Sequence, residues 1–397
     1  MKFGFYSKTL LPKFEDEGNL YIGLKNAQAD NSLSLLFQFA DYSGNADLKI
    51  ETLNLSILVG NTWQPIQNLL DYEDNTEGFT QSGILRIFKI LDDTKADKTT
   101  ILPADKRWLR ITAVKNAAAF DHLVAIKAQA ALATFKATPE NDLTRLINPL
   151  VAGSVKKPVQ ENAILAKIDQ PFDSFGGRAV ETSSAFYRRV SERLRHKGRA
   201  INLWDYEMLV LQAFPEIYKA KCLPHTALLR DEPLDLEFVV GRVALIVVPD
   251  VTKLPLAVRD EPKANQNLLH DILAFLNERV TPFVTLDVLN PRYEPVKAQF
   301  NVQFYKGKDE VFYKEQLKKD IKSFLSPWTS DEPKEIQFGG EIQASSLLNF
   351  IEQQAYVDYV SDFNMLEDGV KTRKIRAKTA RSVLKYSDMD ITVIPCD

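Results

Sequence analysis

Cysteine and histidine are scarce in this chain. Two cysteines, Cys222 and Cys396, among 397 residues cannot build a disulfide framework, and four histidines leave few metal ligands. Both cysteines are therefore expected to be thiols in a reducing compartment. Apolar runs such as Val243 to Val248 fall far short of the ~20 residues that span a bilayer. The N-terminal stretch holds no sustained apolar segment, and Pro12 and Glu15 interrupt it, so no signal peptide is read there. The formal charge of -3 supplies no global field toward nucleic acid or anionic lipid. These absences describe a soluble protein made in the cytoplasm, with no membrane insertion.

Catalytic signatures are missing too. No G-x-x-x-x-G-K-[ST], H-E-x-x-H, C-x-x-C or G-x-S-x-G string occurs. The pair Asp92-Asp93 and the turn Gly339-Gly340-Glu341 read as solvated loops. Cys222 stands near His225 in sequence, but its strand pattern makes it a buried residue rather than a nucleophile. No catalytic residue, metal ligand or cofactor is expected, and the chain is not read as an enzyme.

What is present is enough apolar material, 45% of residues, for a folded core in two or three domains. The expected class is α+β. Residues 1–137 read as a β-rich, sandwich-like domain, with short strands at Leu20–Leu24, Leu33–Phe39, Leu48–Val59, Gly83–Ile90 and Trp108–Thr112. Residues 117–137 fit a helix by alanine content and a strand by alternation. Residues 138–180, rich in Pro and Gly, read as a connector and a hinge between the two halves. Residues 181–237 should hold a helix pair leading into a strand.

Residues 238–397 should form a ferredoxin-like β-α-β-β-α-β unit closed by a terminal hairpin. Phe238–Val248 is its first strand, apolar enough to be buried on both faces. Val296, Ala298, Phe300, Val302 and Phe304 alternate with polar residues, which predicts a half-buried strand.

The central stretch carries the sharpest local signals. Gly176-Gly177 breaks the chain, and Thr182 or Ser183 can cap a helix. Phe186, Val190 and Leu194 then recur along one face as core positions, and Gly198 ends the helix. A second helix follows with Asn202 as cap, Asp205 at the positive end of the dipole, and Tyr206, Leu209 and Val210 as its core face. Pro215 stops it. The basic run Arg193, Arg195, His196, Lys197, Arg199 admits three uses: nucleic-acid contact through a helix-turn-helix, a solvated face complementing the helix dipole, or a protein–protein contact. Against the first, the would-be recognition helix carries Asp205 and Glu207 and no lysine or arginine.

Four strings occur in a family-specific order: IDQPFDSFGGRAVE (168 to 181), FYRRVSERLRHKGRA (186 to 200), WDYEMLVLQAFPEIYKAKC (204 to 222) and GRVALIVVPD (241 to 250). They resemble the baseplate J-like family of contractile phage tails and phage-tail-like contractile injection systems. DNTEGFTQSG (74 to 83) and WLRI (108 to 111) look like that family's β-rich region.

The resemblance implies a structural wedge subunit of a baseplate, between hub and sheath, in a six-fold ring. It also implies a second J-like subunit, other wedge proteins, sheath-adaptor and hub proteins as partners, with no nucleic acid. Arg188, Arg189, Arg195 and Trp204 are the expected assembly contacts, and Gly176, Gly177 and Gly198 the expected turns. The chain is shorter than many injection-system members, so it is expected to be a compact homologue or a piece of a longer protein. The alternative function is a helix-turn-helix nucleic-acid-binding protein.

Overall fold

The computed structural model describes residues 16–27, 31–68, 70–89, 102–103, 105–136, 138, 141–160, 165, 167–227, 235–236, 238–329 and 335–395. Asp92-Asp93, Pro139 and Cys396 lie outside the described residues. The chain divides into two compact units, one of Met1–Ala131 with Gly198–Asp397 and one of Leu132–Lys197.

The larger unit begins with eight strands: β1 (Gly18–Leu24), β2 (Leu33–Ala40), β3 (Asn54–Val59), β4 (Thr62–Pro65), β5 (Tyr72–Asp74), β6 (Gly83–Ile87), β7 (Arg107–Ala113) and β8 (His122–Ala128). They form two antiparallel four-stranded sheets, β1-β7-β3-β4 and β5-β6-β2-β8. Alternation along β2 buries Leu33, Leu35, Phe37 and Phe39, and these meet Leu55, Ile57, Leu109 and Ile111 of the other sheet in one core. Residues 117–137, open between helix and strand, give a single turn at Ala117–Ala119 and then β8 on the edge of β2. Alanine's helical preference amounts to tenths of a kcal/mol per residue, which a ladder of backbone bonds outweighs.

Helix α1 (Ser183–His196) belongs to the smaller unit, whereas α2 (Leu203–Ala213) belongs to the larger. After α2 come β9 (Ile217–Pro224), β10 (Arg242–Pro249), α3 (Gln266–Asn277) and β11 (Thr285–Leu289). Central β10 is antiparallel to β9 and parallel to β11. Tyr206, Leu209 and Val210 of α2, with Leu269, Ile272 and Leu276 of α3, cover one face of this sheet. Ala244 and Ile246 pack with Leu223, Leu289 and Phe338 on the other, so β10 is buried on both sides.

A second layered module follows: β12 (Arg292–Phe304), α4 (Glu310–Leu325), β13 (Glu341–Gln343), α5 (Ala344–Glu352), β14 (Val357–Glu367), β15 (Val370–Thr372), β16 (Lys374–Arg376), β17 (Ser382–Tyr386) and β18 (Asp390–Ile394). Val296, Ala298, Phe300, Val302 and Phe304 of β12 face Leu317, Ile321 and Leu325 of α4 and Leu347 and Ile351 of α5.

The α+β class is the one expected, but β13, α5, β15 and β16 are additional elements and the strand pairing differs from a ferredoxin-like sheet. β10 and β11 lie in one sheet and β12 and β14 in another. The reason is edge occupancy: β9 and β11 fill both edges of β10, leaving no ladder for β12. The terminal hairpin is also replaced. β17 and β18 run end to end in parallel with β12, opposite Arg292–Val296 and Gln299–Gln303, and β12 is long enough to take both. The first strand of this half begins at Arg242, so Phe238 lies outside it.

Sandwich and C-terminal half share one unit, and the proline-rich connector lies in the other. Lys263 Nζ reaches Asp47 at 2.6 Å, Gln266 donates to the Ala46 carbonyl, and Thr80 meets Asn267 at 3.3 Å. Burial also divides the two helices. Leu209 is 4% exposed, whereas Leu194 is 70% and Phe186 44% exposed, with Val190 half-buried. The α1 stripe is therefore no core face, because the described residues of the unit that carries it contribute to none of the buried clusters.

Leu209→Ala should accordingly destabilise the protein by ~2–5 kcal/mol. Leu194→Ala should stay within about 0.5 kcal/mol of wild type. Urea denaturation of both variants checks this, and equal losses would refute the division.

Candidate functional site

Helix α1 forms where sequence chemistry places it. The Thr182 hydroxyl accepts the Ala185 N–H at 3.3 Å, and Lys197, at φ +53°, caps the other end by donating its N–H to the Arg193 carbonyl. Gly198 follows, also left-handed. Gly176 adopts φ +74°, and at Gly177 a side chain would come within 2.9 Å of the Leu146 carbonyl oxygen. Around them the smaller unit is held by polar contacts. Leu150 N–H donates to Ser174 Oγ at 2.7 Å, Ala152 N–H to Asp173 Oδ1 at 2.7 Å, and Val155 N–H to Gln170 Oε1 at 2.9 Å. Its large apolar residues, Ile147, Val151, Val159, Phe175 and Val180, are exposed.

The arginines of α1 are not equivalent. Arg189 makes a two-pronged pair with Glu181, at 2.9 and 2.8 Å, and lies over the Phe186 ring at 5.3 Å. That guanidinium holds the Glu181 carboxyl below its ordinary value. Arg195 bonds Glu192 at 3.1 and 2.7 Å. Arg188 is exposed. Four arginines against one glutamate leave the helix strongly basic beside an apolar stripe. Glu181 was invisible as a partner in the sequence, because it precedes the cap and lies eight residues from Arg189, outside helical i, i+3 and i, i+4 spacing.

Trp204 stands exposed at the start of α2 in the other unit. Tyr206, Leu209 and Val210 point into the sheet. Asp205 Oδ2 accepts the Asn202 N–H at 2.9 Å, and Glu207 accepts the Cys222 N–H at 2.9 Å. Both acids of α2 thus serve backbone N–H groups, and the helix carries no basic residue. It offers no lysine or arginine with which a recognition helix grips phosphates and guanine edges.

The larger unit holds a cleft of about 350 Å³ between sandwich loops (Tyr42, Gly44–Ala46, Asp121) and the stretch from Ala257 to Asn267, with Lys385. Both of its lysines are paired. Lys263 bridges Asp47 and Glu261, and Lys385 reaches Glu261 at 2.5 Å. Burial and nearby acids push the Tyr42 hydroxyl up to about 12. The lining has no cysteine or histidine, so it pairs no nucleophile with a base. Among the described residues no group of three or more His, Cys, Asp or Glu could hold a metal. No helix among them is long and apolar enough to cross a membrane.

Cys222 is buried in β9, and burial, with the Glu207 charge beside it, pushes its thiol up to about 12. The reactive thiolate is then almost absent at pH 8. Iodoacetamide at pH 8 should label Cys222 in the folded protein ~100-fold or more slowly than in urea, as read by peptide mass spectrometry. Equal rates would show an accessible, ionisable thiol.

The sequence profile of a family described as "Baseplate protein PVC11-like" matches residues 1–384. Among solved structures, a chain of the cryo-EM structure of the anti-feeding prophage (AFP) baseplate, 6-fold symmetrised, is similar at 17% identity and a TM-score of 0.47. The match covers 94% of this chain and 77% of that one. No curated protein matches the sequence.

Proposed function

The chain belongs to the PVC11-like family of baseplate proteins, and from that premise we propose that it is a structural wedge subunit of a contractile phage tail or injection system. In this reading copies join a six-fold ring around hub and spike. Each pairs with a second J-like subunit and contacts sheath-adaptor and hub proteins. The chain is made in the cytoplasm, incorporated into the particle, and performs no catalysis. The J-like strings between 168 and 250 support the finer assignment.

The observation that carries the reading is the state of α1. An amphipathic, arginine-rich helix leaves Phe186, Tyr187 and Leu194 exposed, in a unit whose described residues form no buried apolar cluster. Apolar side chains in water forgo roughly 25 cal/mol per Å² of burial, and a contiguous exposed patch is characteristic of an interaction surface. Arginine suits the rim of such a contact because its planar fork bonds two acceptors at once. Arg189 and Arg195 already hold Glu181 and Glu192, so their role is to fix the shape of the face. Arg188 is the arginine with which the helix meets an acidic or carbonyl-rich neighbour.

Arg188→Glu should leave the unfolding midpoint within error of wild type and reduce incorporation into purified particles by about tenfold or more, the scale of an interface hot spot. Normal incorporation of the folded variant would remove this helix from the interface. Tyr187→Ala serves as the apolar counterpart and should fail in the same way.

A further inference from the structure

The sandwich and the C-terminal half meet within the larger unit, yet chain order joins them only through Leu132–Lys197, which form the smaller one. Their mutual placement therefore rests on non-covalent contacts. Apolar burial supplies none of its anchoring among the described residues. The sandwich cluster draws on no residue beyond Ile126, and the other buried clusters draw on none before Ala200. Two modules that share no apolar core are free to move relative to each other unless something specific holds them.

Polar groups bridge the joint around the 350 Å³ cleft. The Gln266 side-chain amide donates to the Ala46 carbonyl, and Asn267 Nδ2 donates to Gln81 Oε1 at 3.4 Å. Water can take over such bonds at little net cost. Acids face each other across the same joint. Burial and the Glu77 charge of the sandwich raise the Asp271 carboxyl of α3. Tyr42 of the sandwich feels Glu216 and Asp250 of the C-terminal half as well as Asp41 and Asp121 of its own side. Like charges so placed favour separation. Lys263 opposes them: its Nζ lies 2.6 Å from Asp47 on one side and 3.2 Å from Glu261 on the other. Its side chain is 20% exposed, whereas that of Asp47 is 63% exposed.

We infer that the β-sandwich is an orientable module and that Lys263 is the latch that fixes its setting on the C-terminal half. The neighbouring ammonium groups do not share this task. Lys385 reaches Glu261 and Lys322 reaches Asp260, and both of these pairs lie inside the C-terminal half. Once Lys263 releases Asp47, that carboxylate is solvated where it stands, and the acids on the two sides repel. The sandwich then swings as a body, because Phe37, Ile57, Leu109 and the rest of its core stay with it. The chain thus has a docked and a released setting, and one ammonium group selects between them.

Pulsed electron paramagnetic resonance on the full chain tests this, with nitroxides on Asp71→Cys in the sandwich and Glu352→Cys in α5, and Cys396→Ser to remove a competing thiol. Both labelled positions are exposed, and Cys222 is buried. The parent protein should give one narrow distance distribution. Lys263→Gln should lose that peak and spread to longer separations, with the circular dichroism spectrum unchanged. Asp47→Asn should do the same, and it breaks the pair at a side chain that is mostly in water. Lys385→Gln, which removes no contact across the joint, should keep the narrow peak. Retention of that peak by folded Lys263→Gln or by Asp47→Asn would overturn the inference. An equal spread in Lys385→Gln, or a broad distribution in the parent protein, would overturn it too.

Discussion

A buried strand must find a partner for every backbone N–H and C=O, and in the larger unit this requirement decides the architecture. β10 is apolar on both faces and takes β9 on one edge and β11 on the other. β12 does the same with β14 on one side and the tandem β17 and β18 on the other. Between β11 and β12 lie only Asn290 and Pro291, yet the chain must leave one sheet and found another, since β10 has no vacant edge. Each sheet is then closed on its apolar side by helices, α2 and α3 for one, α4 and α5 for the other. Once both edges of a central strand are filled, a substitution there is felt by two ladders and at least one helix layer.

Charge completes what the ladders begin. Arg381 and Asp235 form a pair whose side chains are 11% and 3% exposed, tying the loop before β10 to the segment before β17. Lys263, linked to Asp47 and Glu261, does the same between the C-terminal half and the sandwich. Its ammonium pKa is raised even though burial opposes this, because two carboxylates favour the charged form. Such pairs contribute modestly to net stability, but removing one partner strands a charge in a poor solvent. They fix the register of neighbouring modules more than they hold them together.

The sequence made local structure legible wherever one periodicity had one interpretation. The alternation of β2 and β12 and the apolar run of β10 each specified strand and burial together. Long-range pairing was hidden, because β17 and β18 look like a hairpin by spacing and their true partner lies about ninety residues upstream. Amphipathicity was legible in α1 and α2 alike. Period alone says which side chains share a face, however, and not whether another element covers it: Leu209 is covered and Leu194 is not. Phe238 misled for the converse reason. Apolar residues before Arg242 extend the strand pattern by composition, while the left-handed backbone at Phe238 turns the chain aside.

The two units balance polar and apolar demands in opposite ways, and that contrast bears on how a structural subunit can be both stable and adhesive. The larger unit buries its main apolar clusters internally, through two helix-covered sheets and a sandwich core. The smaller unit satisfies its polar groups, with Gln170, Asp173 and Ser174 accepting the N–H groups of Val155, Ala152 and Leu150. Its apolar groups stay in water, from Ile147 through Phe175 to Leu194. Polar satisfaction gives a segment a defined conformation at little net gain in free energy, because water would have served the same groups. Apolar burial is where the larger gain lies, and the described residues of this unit make little of it. In the proposed assembly reading, such a segment is shaped in advance and gains its stabilisation on contact, which lowers the ordering cost of assembly.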